Sequence, residues 1–334
     1  MQEFDRDGRP LYQLDLLGGK PAPVETRQDK KGGKKKRGTG NPSRFRSTEA
    51  FDGTLLTTLS FSGGTGSGAI AEMLIRGDLE CKTDLLVTTA DPGMENSQTY
   101  DYIDEMSERF AEAGIRHETV KTNLYDELLA AIERKDTRFD QPPFWTKNRE
   151  TGKRGRLKQA CTGAYKIAPM KRIVRDVLHE NHGVSRASKN IGKDVVRTWI
   201  GFSADETQRI KESEQKYIYF QYPLVALGMT KAGVAEYYKK INRPLPPRSV
   251  CNGCFANDLQ YFKEMYENRK NDWEQAVAVD DAIRDLTFMD VKDECYVSST
   301  LIPLRDLPAM DFKPKDENLR LFDDIQCQSG FCFI

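Results

Sequence analysis

One glycine loop restricts the fold of this 334-residue chain more than any other feature. Ser60-Phe61-Ser62-Gly63-Gly64-Thr65-Gly66-Ser67 stands between an apolar β-type run at residues 54–61 and a helical pattern at residues 67–76. That pattern places Ile70, Met73 and Leu74 on one face. Glycines between a buried strand and a helix let the backbone turn tightly, and the free N–H groups and positive helix end then face an anion. Ligands of open α/β sheets bind at the carboxyl ends of the strands, where such a loop lies.

Three phosphate-binding patterns compete for this loop. The Walker loop needs a lysine after its last glycine, and Gly68 is followed by Ala69, so it fails. The dinucleotide fingerprint G-x-G-x-x-A is met by Gly64, Gly66 and Ala69, and Asp91 supplies the acid expected at the end of the next strand. The PP-loop pattern Ser-Gly-Gly-x-x-Ser is met by Ser62, Gly63, Gly64 and Ser67, whose two hydroxyls flank the glycines. A tight turn with no ligand would use the same glycines.

Beyond the loop, strand-like runs at residues 85–90, 116–121 and 195–203 alternate with helical patterns at 97–113 and 124–134, the latter capped by Asn123. This alternation predicts an α/β fold, a parallel sheet with helices on its faces. After residue 230 the pattern turns helical, at 231–240, 258–269 and 272–284, and carries cysteines. The expected organisation is a largely disordered basic arm at 1–50, a nucleotide-binding domain at 51–229 and a helical, cysteine-bearing extension at 230–334.

The net charge is zero, but residues 27–46 hold nine basic side chains against Asp29 alone. A basic arm on an acidic body predicts an anionic partner such as nucleic acid. A second basic stretch runs from Lys147 to Lys158. No apolar run approaches the length that spans a bilayer. With no apolar leader at the N-terminus, seven cysteines are expected as thiols or metal ligands in a cytoplasmic protein.

Ordered blocks across residues 54–334 resemble the PP-loop family of ATP pyrophosphatases and phosphoadenosine-phosphosulfate reductases. After the loop come Thr89-Ala90-Asp91-Pro92-Gly93-Met94-Glu95, then Cys161-Thr162 with Tyr165-Lys166-Ile167 and Pro169. Trp199-Ile200-Gly201 leads to Glu206 and Arg209, and Ser249-Val250-Cys251-Asn252-Gly253-Cys254 and Trp273-Glu274 follow. The chain departs from the pattern at Gly66, where many members carry Asp. It also lacks the paired cysteines and C-terminal Glu-Cys-Gly of sulfonucleotide reductases: Ala160 precedes Cys161, and the end reads Cys327-Gln328-Ser329-Gly330-Phe331-Cys332.

The resemblance implies an adenine nucleotide alpha-hydrolase-like fold binding ATP and Mg²⁺. Ser60, Ser62, Gly63, Gly64, Thr65, Gly66, Ser67, Asp91, Glu95 and Gly201 would contact the nucleotide. Ser62, Ser67, Lys166 and Arg209 would act on its phosphates. Cys161, Cys251, Cys254 and Cys327 would hold a [4Fe–4S] cluster or Zn²⁺, with a persulfide carrier as the other use of these thiols. Adenylation of an oxygen followed by sulfur insertion suits this set, and DNA phosphorothioation sulfurtransferases fit best. That reading implies DNA ahead of RNA as partner and a cysteine desulfurase or other sulfur donor. The alternatives are a sulfonucleotide reductase, a tRNA thiolase, and a non-catalytic nucleotide-binding subunit of a modification or defence complex.

Overall fold

The computed structural model describes residues 46–188 and 191–313. Most of the basic arm and two cysteines, Cys327 and Cys332, lie outside the described residues. In chain order the elements are β1 (Leu56–Ser60), α1 (Thr65–Arg76), β2 (Asp84–Asp91), α2 (Ser97–Glu112), β3 (Arg116–Lys121) and α3 (Leu124–Arg134). Next come β4 (Trp145–Lys147), β5 (Arg154–Arg156), α4 (Ala168–His182), β6 (Val196–Trp199), β7 (Ile218–Gln221) and α5 (Pro223–Ala226). The chain continues through α6 (Lys231–Lys240), α7 (Leu259–Asn268), α8 (Lys270–Ala282) and β8 (Glu294–Tyr296).

The fold is α/β. Five strands form one sheet in the order β3-β2-β1-β6-β7, and β1 pairs in parallel with both β2 and β6. β6 and β7 are also parallel. The strand order reverses at β1: the chain fills one side through β2 and β3, then returns to the other through β6 and β7. The carboxyl ends of β1 and β6 therefore flank a switch point, the place where open α/β sheets bind ligands.

The chain divides into two compact units, neither continuous in sequence. Unit 1 takes the residues up to Thr89, with Tyr102–Glu118 and Ile173–Arg248. Unit 2 takes Ala90–Asp101, Thr119–Arg172 and the chain from Ser249 onward. This differs from the division expected at residue 229: α6 belongs to unit 1, and the segment after Ser249 joins chain from the middle of the sequence.

Unit 1 packs Leu59, Phe61, Ile70, Met73, Phe110 and Trp199 into one fully buried cluster. Its α1 also buries Glu72, which receives a two-pronged pairing from Arg109 and a further contact from Arg243 at 3.3 Å. A buried carboxylate without such partners would be strongly destabilising.

Unit 2 packs α3, α7 and α8 around Phe144, Phe262, Met265 and Val279. It also holds a three-stranded antiparallel sheet, β5-β4-β8, absent from the sequence-based reading. Its strands have three residues each, too short for a two-residue period to stand out. The segment expected as a helical extension thus contributes a strand as well as helices. At the start of α3, Asn123 occupies the capping position in a left-handed conformation, but its side chain makes no capping bond.

Candidate functional site

In unit 1 the glycine loop runs from the end of β1 into α1. Phe61 N–H donates to Thr88 O at 2.9 Å and anchors the entry to β2. Gly63 then takes φ +72°, a left-handed turn that favours glycine. Gly64 precedes the helix, and no side chain caps the helix N-terminus. The first-turn amides and the positive end of α1 therefore face the loop without a protein carboxylate or hydroxyl at the cap. Ser67 Oγ donates to Gly64 O at 3.2 Å, accepts from Ser62 N–H at 3.2 Å and lies 3.3 Å from Ser62 Oγ. The two hydroxyls of the pattern therefore meet on one side of the loop.

Gly66 has a role that its sequence context hides. A Cβ there would stand 2.0 Å from the Gly201 carbonyl oxygen, and a Cβ on Gly201 would stand 2.4 Å from Ser67 N. The two glycines let α1 start directly against the chain leaving β6, at the switch point. The backbone of this protein leaves no room for an Asp at this place.

Arg209 closes a short 3-10 turn, Ala204–Arg209. Its guanidinium donates to Glu206 Oε1 at 2.6 Å and stacks over Phe202 at 4.0 Å from the ring centre. Glu206 is itself fixed by Ser203 through both its backbone N–H and its hydroxyl.

The remaining predicted residues lie in unit 2, except Cys327, which is outside the described residues. Asp91 accepts from Gly93 N–H at 2.8 Å and from Tyr100 OH at 2.6 Å. Burial first, and then the bond to Asp91, push the Tyr100 phenol above its ordinary range, which keeps it a donor. Glu95 is enclosed, its side chain 3% exposed against 17% for Lys166, whose Nζ donates to it at 3.0 Å. Ser249 Oγ donates to Glu95 Oε2 at 3.4 Å, and Cys251 Sγ lies 3.7 Å from Oε1. Lys166 is presented by a π-helical turn, Gly163–Ile167, that leads into α4. Such turns insert an extra residue and recur at functional sites.

Cys161, Cys251 and Cys254 line one small cavity of about 40 Å³, together with Lys166. Its other walls are mainly apolar, with Met94, Leu124, Tyr165 and Phe255 among them. That is room for a few water molecules, a centre needing roughly 10–15 Å³ each. Burial pushes the Cys161 thiol up from its ordinary value, and the Lys166 ammonium opposes that shift. Cys254 N–H donates to Cys251 O at 3.1 Å, so the C-x-x-C pair closes a tight turn. Cys295, by contrast, is fully buried in β8, and burial raises its thiol to about 12.

The donor types suit a cluster or zinc, since both take thiolates. Yet among the described residues no three His, Cys, Asp or Glu groups are gathered to hold a metal ion. The described thiols share a cavity without forming a ligand set, so they do not by themselves fit either group.

The sequence reading missed Tyr100 and Ser249, which brace Asp91 and Glu95. Ser249 sits just ahead of Val250-Cys251, inside a block already singled out. Tyr100 gave no signal except its position one turn into α2. Among the described residues no helix is long and apolar enough to cross a membrane.

No family model matches this chain, and no curated protein matches it. Among the solved structures similar to it is the U34-tRNA thiolase NcsA from Methanococcus maripaludis with its [4Fe-4S] cluster. The identity is 11% and the TM-score 0.36, over 71% of this chain and 75% of that chain.

Proposed function

We propose that this chain is a PP-loop ATP pyrophosphatase that activates an oxygen of a nucleic acid, DNA before RNA, for replacement by sulfur. One observation carries the nucleotide part: an uncapped helix start, two hydroxyls 3.3 Å apart and a glycine-on-glycine contact coincide at the switch point of the sheet. That combination receives phosphates through backbone N–H groups and the helix dipole. Mg²⁺ accompanies the ATP, and Arg209 supplies a cation on the segment that follows β6.

In this reading a non-bridging backbone oxygen of the acceptor attacks the α-phosphorus of ATP. The bond to the β-phosphate oxygen breaks, pyrophosphate leaves, and the acceptor oxygen carries AMP. Positioning and charge neutralisation do most of the work in such transfers. Sulfur arrives as a persulfide on Cys251, delivered by a donor such as a cysteine desulfurase. Its terminal sulfur attacks the activated acceptor phosphorus and AMP departs. Cys254 then attacks the Cys251 sulfur of the resulting bridge, freeing the phosphorothioate and leaving a Cys251–Cys254 disulfide that an external thiol reduces. Glu95, against the Cys251 thiol, takes its proton, and Lys166 Nζ, donating to the same carboxylate oxygen, positions Glu95 for that task.

Gly66 favours a second reading, a nucleotide-binding subunit without turnover, because the acid found there in many relatives has no space in this backbone. One assay separates the two. Pyrophosphate is measured with ATP, Mg²⁺, a persulfide donor and either single-stranded DNA or tRNA, and radiolabelled sulfur is followed into each nucleic acid. The enzyme releases pyrophosphate and labels the DNA, while Cys251→Ala still releases pyrophosphate but labels at background. ATP binding without pyrophosphate in the complete mixture establishes the non-catalytic subunit instead, and labelled RNA with unlabelled DNA identifies a tRNA-type thiolase.

A further inference from the structure

The β4–β5 hairpin of unit 2 takes no part in the ATP chemistry proposed above. Its register sets Trp145 opposite Arg156 and Lys147 opposite Arg154. Both arginines lie over the same indole, Arg154 at 5.1 Å and Arg156 at 5.8 Å from its centre, so they share one face of the ribbon. Arg156 also covers Phe255 at 5.1 Å. The indole is pinned edge-on by a bond from Trp145 Nε1 to Phe255 O at 3.0 Å. On the opposite side Thr146 is buried, and a Cβ on Gly155 would come within 2.7 Å of its hydroxyl. The sequence Arg-Gly-Arg thus fits a side-chain-free residue against Thr146 and puts both guanidinium groups on the Trp145 face, where Arg156 is exposed and Arg154, half-buried, donates to Ser299 O at 3.3 Å.

Charge on the ribbon is only partly neutralised. Residues 147–158 carry six basic side chains and one acid, Glu150. Arg149 is paired with Asp285 at 3.2 Å, and Lys147 faces Glu294 across the β4–β8 register. Lys153, Arg156 and Lys158 have no acidic partner among the described residues. Cations interleaved with a rigid aromatic surface suit a polyanion whose flat bases are exposed: phosphates meet the cations, and a base stacks on the guanidinium–indole surface. The ribbon also adjoins the thiols. Phe255 beneath Arg156 and Gln159 just past β5 both line the cavity of Cys161, Cys251 and Cys254.

We infer that the Trp145–Arg154–Arg156 ribbon is a docking surface for single-stranded nucleic acid, which it delivers to the thiol cavity. The choice of ligand rests on the nucleic-acid acceptor proposed above.

The test uses the full chain and a fluorescein-labelled single strand of about 20 nucleotides, longer than one binding site of this kind. Anisotropy is read from about 50 to 300 mM salt, with a duplex of equal length as comparator. The wild type binds the single strand more tightly than the duplex, and its tryptophan fluorescence is quenched, a change absent in Trp145→Phe; Trp199 and Trp273 are buried. Lys153→Gln/Arg156→Gln/Lys158→Gln weakens binding at least tenfold and lowers the salt slope by about 2, three lost cations at roughly 0.7 each. An unchanged thermal midpoint shows that this variant is folded. Equal affinity and slope in the triple variant overturn the ribbon but leave a nucleic-acid acceptor bound elsewhere. Duplex binding as tight as single-strand binding, without quenching, also overturns the ribbon. A wild type that binds neither ligand overturns both the ribbon and the acceptor reading. Ribbon-dependent binding without pyrophosphate release overturns the ATP chemistry alone.

Discussion

The glycine loop of unit 1 and the thiol cavity of unit 2 are built by opposite means. The loop is made largely of backbone: glycine contacts, amides and a helix end, with the Ser62 and Ser67 hydroxyls meeting on one side of it. The cavity is made of side chains, where a buried Glu95–Lys166 pair, three cysteines and an apolar wall define the chemistry. A backbone site is rigid and tolerates no added atom. A side-chain site tolerates changes of shape but depends on balanced charge. In the proposed function this contrast divides the work: phosphates, the same in every substrate, are bound by fixed amides and sulfur chemistry is tuned by ionisable groups.

The sharpest way to break the comparison is Gly66→Ala. The added Cβ would meet backbone, the Gly201 carbonyl at 2.0 Å, which no rotamer change relieves. We expect ATP affinity to fall by about 100-fold and the thermal midpoint to drop, since overpacking costs about 1–3 kcal/mol or more. Gly163→Ala, in the π-helical turn of unit 2, has open space around its added Cβ and is expected to leave both nearly unchanged. Titration calorimetry with ATP checks both, and similar values for the two variants would end the claim that backbone contact builds the loop.

On the side-chain half, Lys166→Met leaves Glu95 buried without its cation. Breaking such a pair is expected to cost about 3 kcal/mol in denaturant unfolding. Adding Glu95→Gln to Lys166→Met should recover most of that loss, because the uncompensated charge is gone. A double variant no more stable than the single one would show that the pair does not act as a unit.

Ser67→Ala comes next in size. It removes one hydroxyl while leaving the amides in place, so ATP affinity should fall by about tenfold, near 1.4 kcal/mol. A loss as large as that of Gly66→Ala would mean that hydroxyls, not backbone, carry the loop.

The last effect is a pH dependence at Cys295, absent at neutral pH. Its folded thiol is pushed up to about 12 by burial, while an unfolded cysteine ionises near its ordinary value of about 8.5. The folded state then holds the proton more tightly, so this contribution is intact below about pH 8.5 and is lost as pH rises toward 12. Cys295→Ala lacks that loss. The thermal midpoints of wild type and variant should therefore converge between about pH 8 and 11; a constant gap would contradict the assigned burial effect.

Much of unit 1 was legible in the sequence because its signals are local. The β1–loop–α1 passage follows from an apolar run, glycines and a helical period, and the observed α1 begins two residues before the expected start. β3 and α3 fall on the expected residues. Unit 2 was less legible, since three-residue strands leave no period, and Trp145 and Tyr296 come together only through a register between chain segments 151 residues apart.

The sequence by itself determined the strand–glycine loop–helix passage, the alternation that makes a parallel sheet, and the cysteine blocks, because each rests on neighbours in the chain. Only the tertiary structure decided what Gly66 is for, since the atom that excludes a side chain there belongs to Gly201, 135 residues away. It also decided that Lys166 donates to Glu95 and Arg209 to Glu206. A residue's type and local period set which element it joins. Which charge or carbonyl it meets depends on strand order and register, and these are properties of the assembled sheet.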